Sequence, residues 1–386
     1  MDPVKNESTA PAPQSDAAAE ALSRFHAVIP AGGVGTRLWP LSRAAAPKFL
    51  HDLTGSGQTL IRATWDRLEP LAGAGMMVVT GQVHRDAVAR QLPELGEGDF
   101  VLEPEPKDSA AAIGLAAAIL SLRDPDTIMG SFAADQVISP LEDFQKVVEE
   151  AVVTAATGKI VTIGITPTHP ATGFGYIRRG RSLRLEDAPH AFDVAAFVEK
   201  PDAKVAAQYV RSGKYLWNAG MFVAPVTLML QHLEEHEPEL HAGLMAIARA
   251  WDTDRRQEVL AEVWPTLKKT AIDYAVAEPA AAAGDVAVVP GDFTWDDVGD
   301  FAAIARLNPV KDGSGITVIG DTPRVYSSEA SGVVVTDSDR VIALIGIEDV
   351  VVVDTGDALL VTTTDRAQDV KKAVESLKAE GADDVL

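Results

Sequence analysis

The apolar positions of this chain fall into short unbroken runs separated by stretches with a helical repeat. Ala27-Val28-Ile29 is such a run, the pattern of a strand buried on both faces of a sheet. Residues 59–71 then place Leu60, Thr64, Leu68 and Leu71 on one helical face. The alternation continues, predicting strands over 76–80, 100–102, 127–131 and 160–165 and helices over 82–92, 109–122 and 142–157. Strand and helix in turn predict an α/β fold, a Rossmann-like, mostly parallel sheet with helices on both faces. Such sheets bind ligands at the carboxyl ends of their strands.

From residue 173 to 222 the rhythm changes. β-like runs at 173–178, 192–199 and 221–223 surround one helical segment, 203–212, which predicts an insertion closing over the sheet. Helices are expected between 226 and 277, and the sheet resumes at 286–290. Turn residues at 309–315 mark a boundary. Beyond it, Val/Ile runs at Ile316, Val333, Val341, Val350 and Leu359 predict a small β-rich domain, closed by a helix over 365–379. The expected division is a main domain over 24–308 and a C-terminal domain over 309–386. Residues 1–23 carry Pro11, Pro13, an Ala run and acidic side chains, and are expected to be a disordered tail. They lack the basic start and apolar centre of a signal peptide.

Charge narrows the field. A net charge of −22 argues against nucleic acid or an anionic membrane as partner. No stretch reaches the ~18 uninterrupted apolar residues of a membrane span. The absence of cysteine excludes disulfides, thiolate catalysis and Cys-ligated metal, and fits a cytoplasmic location. The eight histidines read as scattered, with no helical metal pair, and none is given a role.

Against that acidic background one segment stands out. Pro30-Ala31-Gly32-Gly33-Val34-Gly35-Thr36-Arg37-Leu38-Trp39-Pro40-Leu41-Ser42-Arg43 follows the first strand and is closed by Pro47-Lys48-Phe49-Leu50. No Asp or Glu lies between Arg24 and His51. The glycines free the backbone to bring N–H groups onto an anion, and Arg37, Arg43 and Lys48 add positive charge. The spacing is neither the P-loop nor the dinucleotide fingerprint, so the glycines alone equally describe a plain turn. Elsewhere, Asp135 closes Ser131-Phe132-Ala133-Ala134-Asp135, and Asp297 stands in Trp295-Asp296-Asp297-Val298-Gly299. Carboxylates at strand ends near phosphates suit Mg²⁺, although each alone also fits a cap or turn. Glu199 and Lys200 are neighbours at a strand end; if the strand continued through them, alternation would point them to opposite faces and keep them from pairing, and Pro201 is expected to end it. Asn218, in Trp217-Asn218-Ala219-Gly220-Met221-Phe222, can both donate and accept, as hydroxyl recognition requires.

Taken whole, the glycine segment resembles the signature of the sugar-nucleotide pyrophosphorylases. Its continuation Leu38-Trp39-Pro40-Leu41-Ser42-Arg43 resembles the mannose-1-phosphate guanylyltransferase branch. Two departures show: Phe49 follows Lys48 directly where that branch usually has an intervening Gln, and Lys107-Asp108-Ser109 replaces an Arg-Asn-Thr run. The resemblance implies transfer of GMP from GTP to α-D-mannose 1-phosphate, giving GDP-mannose and pyrophosphate. It assigns catalysis to Arg37 and Lys48, and nucleotide binding to Gly32, Gly33, Gly35, Thr36, Gln82 and Glu103, with Glu103 accepting from guanine. It assigns the sugar phosphate to Gly173, Glu199, Lys200 and Asn218, and Mg²⁺ to Asp135 and Asp297, the latter rather than Asp296 because the family pattern runs Trp-x-Asp-x-Gly. It also implies a short left-handed β-helix at the C-terminus, and a homodimer is expected. Alternatives are a glucose- or heptose-1-phosphate nucleotidyltransferase of the same fold, or a non-catalytic nucleotide-sugar-binding subunit, which would be expected to lack one of these cations or aspartates. Isomerase activity is not expected, because the stretch after the boundary is shorter than a typical domain of roughly 100–150 residues.

Overall fold

The computed structural model describes residues 15–310, 315–320 and 324–386. Helix α1 (Asp16–Ser23) precedes β1 (Phe25–Ala31), α2 (Leu60–Ala72), β2 (Met76–Gly81), α3 (Arg85–Gln91), β3 (Phe100–Glu103), α4 (Ser109–Arg123), β4 (Ile128–Ser131), β5 (Val137–Ser139), α5 (Leu141–Ala155) and β6 (Ile160–Ile165). There follow β7 (Tyr176–Ser182), β8 (Phe192–Val198), α6 (Ala203–Ser212), β9 (Tyr215–Pro225), α7 (Val226–His236), α8 (Pro238–Ala250), α9 (Arg256–Val263), α10 (Glu278–Ala283), β10 (Val286–Gly291), β11 (Thr294–Asp296) and α11 (Phe301–Leu307). Nine strands form one sheet in the order β3-β2-β1-β4-β9-β6-β10-β8-β7. Only β8 and β9 run against the others, so the sheet is mostly parallel.

The sheet is buried on both faces because successive side chains alternate. Val28, Met77 and Val79 face one apolar layer, while Ala27, Ile29, Met76 and Val78 face the other. Helix α4 lies in the first layer and is buried from Ala110 through Leu120, as a helix apolar on all sides must be. Its small side chains admit close neighbours: a Cβ on Gly114 would stand 2.7 Å from Leu244 Cδ1 and 3.0 Å from Leu233 Cδ1. These contacts seat α7 and α8 against α4.

Two expectations are corrected here. The stretch 173–222 is not an insertion over the sheet but part of it. β7 and β8 form its edge, and β9 lies between β4 and β6. Most of β9 is buried, yet its polar Asn218 and Gly220 break the apolar run, so the sequence pattern caught only its last third. Residues 16–23 are not structureless either. The alanine run forms α1, capped by Ser15, whose side chain accepts from Ala18 N and donates to Asp187 Oδ2 at 2.5 Å. Ala18 and Ala21, three residues apart, are buried. Residues 1–14 of the expected tail lie outside the described residues.

The C-terminal domain comprises β12 (Ile316–Ile319), β13 (Arg324–Ser328), β14 (Gly332–Thr336), β15 (Val341–Ile345), β16 (Val350–Asp354), β17 (Leu359–Thr363), a 3-10 segment Thr364–Asp369 and α12 (Val370–Ala379). β12, β14 and β16 stack in parallel, as do β13 and β15, which makes a short β-helix closed by antiparallel β17. Val334 and Val352 fill its interior. On the opposite face, Val333, Val335, Val351 and Val353 share one apolar cluster with Leu38, Leu60, Phe301 and Ile304 of the main domain. The β-helix therefore packs directly beneath the glycine segment. The expected boundary at 309–315 includes residues 311–314, which lie outside the described residues. Among the described residues, no helix is long and apolar enough to cross a membrane.

Candidate active site

The glycine segment leaves the carboxyl end of β1. Gly33 and Gly35 hold φ of +82° and +72°, a left-handed conformation that side chains with a Cβ resist. A Cβ on Gly35 would meet Lys48 Cβ and Ser42 Oγ at 3.2 Å, so the loop closes tightly on its own lysine. Nothing lies within 4 Å of a Cβ on Gly32 or Gly33, whose backbone faces open space. Thr36 starts the short 3-10 turn that carries Arg37. The neighbouring turn after β2 braces the loop: His84 Nε2 lies 2.8 Å from Ala44 O, and its ring meets Phe49 edge-on.

Asp135 and Asp297 are far apart in sequence, yet a small ribbon brings them together. β4 continues beside β1, with Ala134 N donating to Pro30 O at 3.1 Å, which sets Asp135 next to the glycine segment. β5 then pairs antiparallel with β11, placing Val137 opposite Asp296. Lys48 sits between the two acids. Its Nζ is 2.9 Å from Asp135 Oδ2 and donates to Asp297 O at 2.6 Å. Burial raises the Asp297 carboxyl above its ordinary pKa. Lys48 and Arg37 pull it back, while Asp296 and Asp135 push it further up. Asp296 accepts from Val298 N and Arg306. Two half-buried carboxylates with no soft ligand form a hard-cation donor set, and their mutual repulsion is what a divalent cation would relieve. Val298, buried and β-branched, is held at φ +46°, a strain of the kind that clusters at functional turns.

A cavity of about 740 Å³ opens here, with Arg37, Thr172, Gly173, Trp217, Asp297 and Gln368 among its walls. It unites Arg37, Gly173 and Asp297 directly, and Lys48 and Asp135 join through Asp297. A second cluster lies around Asn218, the neighbour of Trp217. Asn218 Oδ1 accepts from Thr162 Oγ1 at 2.7 Å, and its Nδ2 donates to Asp273 Oδ1 at 2.9 Å. A Cβ on Gly175 would stand 2.6 Å from Glu199 Oε2 and 3.2 Å from Asn218 Cβ, so only glycine fits there. Glu199 Oε2 is buried without a partner among the described residues. A third group lies on the strands beyond β1. Glu103 ends β3 opposite Gly81, the residue before exposed Gln82. Both are on the same sheet edge as the glycine segment but outside the walls of the cavity. Glu103 is buried, its Oε1 is unpartnered, and burial, aided by Asp108, raises its pKa to about 7.

Known proteins are similar to this chain over most of its length. Residues 26–312 match the nucleotidyl transferase family, and residues 324–377 match a MannoseP isomerase/GMP-like beta-helix domain. Mannose-1-phosphate guanylyltransferase of Escherichia coli K12 is 38% identical over 371 residues, covering 94% of this chain and 75% of that protein. Mannose-1-phosphate guanylyltransferase ManC of Salmonella typhimurium is 37% identical over 368 residues, covering 93% and 74%. The chain belongs to the mannose-1-phosphate guanylyltransferase family. A crystal structure from Thermus thermophilus, described as a mannose-1-phosphate geranyltransferase, superposes with a TM-score of 0.79 at 33% identity, covering 92% of this chain and 99% of that one. As a member of the guanylyltransferase family the chain is an enzyme, a nucleotidyltransferase acting on a sugar 1-phosphate with a nucleoside triphosphate.

For this family member, two further sequence expectations are corrected. Glu199 and Lys200 do pair, at 2.7 Å, because the strand ends at Val198 and Lys200 takes a left-handed φ of +46°. Burial opposes the Lys200 charge, but the bond to Glu199 and the charge of Asp273 overcome it and raise its pKa. The histidines do include a helical pair. His232 and His236 are four residues apart on α7, their rings stack, and Glu235 lies near both. Sequence reasoning also missed three groups. Asp273 has its pKa raised to about 6, first by burial and then by Glu199. It was detectable as the lone acid in the apolar run Ala271-Ile272-Asp273-Tyr274-Ala275-Val276. Asp300 and Gln368 form a bridge to Arg37 that no local pattern announces.

Proposed function

We propose that this enzyme transfers GMP from GTP to α-D-mannose 1-phosphate, releasing pyrophosphate. The observation that carries this reading is the convergence of Arg37, Lys48, Asp135 and Asp297 at the cavity, with an acidic cluster around Asn218 next to its wall residue Trp217. An oxygen of the sugar phosphate attacks the α-phosphorus in line, a new P–O bond forms, and the bond to the β-phosphate oxygen breaks. The attacking phosphate is already ionised, so no protein base or nucleophile is required, and catalysis is positioning and charge stabilisation. Gly32, Gly33, Gly35 and Thr36 supply backbone donors to the triphosphate. Arg37 and Lys48 hold the departing pyrophosphate. Lys200 holds the sugar phosphate, while Glu199, Asn218 and the backbone at Gly173 take the sugar hydroxyls. Glu103 accepts from the guanine N1–H and amino group, with Gln82 beside it. Asp135 and Asp297 would hold Mg²⁺, which when bound supplies positive charge to the phosphates. GTP as donor goes with a cytoplasmic enzyme.

A substrate panel tests this: four nucleoside triphosphates against mannose-, glucose- and fucose-1-phosphate, with pyrophosphate release measured. GTP with mannose 1-phosphate is expected to give the highest kcat/KM. A clear preference for UTP or dTTP with glucose 1-phosphate would overturn the assignment and leave only the family.

A further inference from the structure

We propose that Gln368 of the C-terminal domain is a positioning residue of the reaction centre, fixing the Arg37 guanidinium for the pyrophosphate. This rests on the reading of Arg37 as a pyrophosphate-binding group. Arg37 stands on the three-residue turn Thr36–Leu38. Three acids, Asp296, Asp297 and Asp300, line the same cavity as Arg37. A guanidinium free to collapse onto one of them would lose the charge that a polyanion needs. Instead its NH1 donates to Gln368 Oε1 at 3.0 Å and passes over Gly299, where a Cβ would stand 3.6 Å away. Gln368 is held in turn, its Nε2 donating to Asp300 Oδ2. Asp300 caps α11, its Oδ1 accepting from Ala303 N at 2.9 Å. The chain of contacts thus runs from the start of α11 through two side chains to Arg37.

An amide suits this task. It accepts with one atom and donates with the other, so one side chain satisfies both neighbours. Being neutral, it orients the guanidinium without cancelling its charge, whereas a carboxylate there would compensate Arg37 and repel Asp300. The rest of the interface keeps the amide in register. Trp39 Nε1 donates to Val385 O at 2.6 Å, and Arg43 reaches Asp357 at 2.6 Å and Thr355 at 3.2 Å. Beneath them lies the apolar cluster shared by the two domains. The β-helix and its closing segment therefore brace the catalytic loop at three polar points and contribute one side chain to the cavity itself.

The test is a double-mutant cycle on the full chain, run in the reverse direction with GDP-mannose and pyrophosphate. Arg37→Ala is expected to lower kcat/KM for pyrophosphate by about ten- to a hundredfold, the range of a charge-assisted phosphate contact. Gln368→Ala is expected to lower it by roughly three- to tenfold, with KM for GDP-mannose unchanged. In the Arg37→Ala background, Gln368→Ala should cost nothing further. Gln368→Glu should be no better than Gln368→Ala, and the melting temperature of each variant serves as the fold control. Multiplicative losses in the double variant, a wild-type pyrophosphate KM in Gln368→Ala, or full rescue by glutamate would each overturn the proposal. The Arg37→Ala single variant separates the two levels. Near-normal turnover there removes the pyrophosphate role of Arg37, and any loss in Gln368→Ala would then contradict its acting through that residue.

Discussion

The two regions proposed to hold the phosphates and the sugar are built on opposite principles. At the phosphate end the cations already have protein partners: Lys48 is held by Asp135 and Asp297, and Arg37 by Gln368. At the sugar end the acids are crowded and incompletely paired. Glu199 keeps one oxygen without a partner, and Asp273 is driven up to about 6 beside it. The difference fits what each region is proposed to bind. A polyanion brings its own charge, so its site must keep cations apart and in place before it arrives, which saves reorganisation during reaction. A sugar brings neutral hydroxyl donors, so its site can hold acceptors in reserve that only the ligand satisfies. The region proposed for guanine resembles the one proposed for the sugar, with Glu103 buried and its Oε1 without a partner among the described residues.

This contrast predicts graded effects. The largest falls on the phosphate end. Asp135→Asn and Asp297→Asn should each lower kcat on the order of a hundredfold or more with the fold intact. If the two serve one ion, the double variant should be little worse than either single one. Melting temperature separates this from a cap or turn role, which would cost about 1 kcal/mol of stability and spare turnover per folded molecule. The next effect belongs to the sugar end. Lys200→Ala should raise KM for mannose 1-phosphate about ten- to a hundredfold and leave KM for GTP nearly unchanged. Equal effects on both substrates would erase the distinction between the ends.

The region proposed for guanine should respond to pH. Glu103 accepts from guanine only as a carboxylate, so KM for GTP should rise as pH falls below about 7. Glu103→Gln should raise KM for GTP roughly tenfold above pH 7, with the gap to the wild type narrowing as pH falls. The folded-state pKa is above the unfolded value of 4.5, so the native protein loses stability as pH rises from 4.5 to about 7. The glutamine variant should therefore melt higher than the wild type at pH 8, with the gap closing toward pH 4.5. A constant gap would show that burial of the charge is not its cause. The smallest effect is at the N-terminus. Deleting residues 1–23 should lower the melting temperature by a few degrees, because Ala18 and Ala21 are buried, and leave kcat unchanged. An unchanged melting temperature would show that α1 contributes nothing.

What the sequence disclosed tracks the range over which each feature is built. The glycine segment, the strand-end position of Asp135 and the alternation of β1, β2, β3, β4 and β6 with their helices are local patterns, and each could be read along the chain. Pairing of Glu199 with Lys200 escaped because it depends on where β8 stops. The place of β9 in the sheet escaped because polar Asn218 interrupts an otherwise apolar strand. Gln368 escaped altogether: its partner Arg37 lies 331 residues away, and an exposed-looking glutamine in a polar segment has no pattern of its own. The helix at 16–23 was concealed by composition, since alanine and acid suit both a tail and a short amphipathic helix.

The claim on which the phosphate end rests is that Asp135 and Asp297 form a single metal site beside Lys48. The most direct measurement is the Mg²⁺ concentration giving half-maximal turnover in the wild type, in each Asn variant and in the double variant. The account predicts that either single change raises this concentration about tenfold or more, and that the second change adds little. An unchanged Mg²⁺ requirement in either single variant would contradict it.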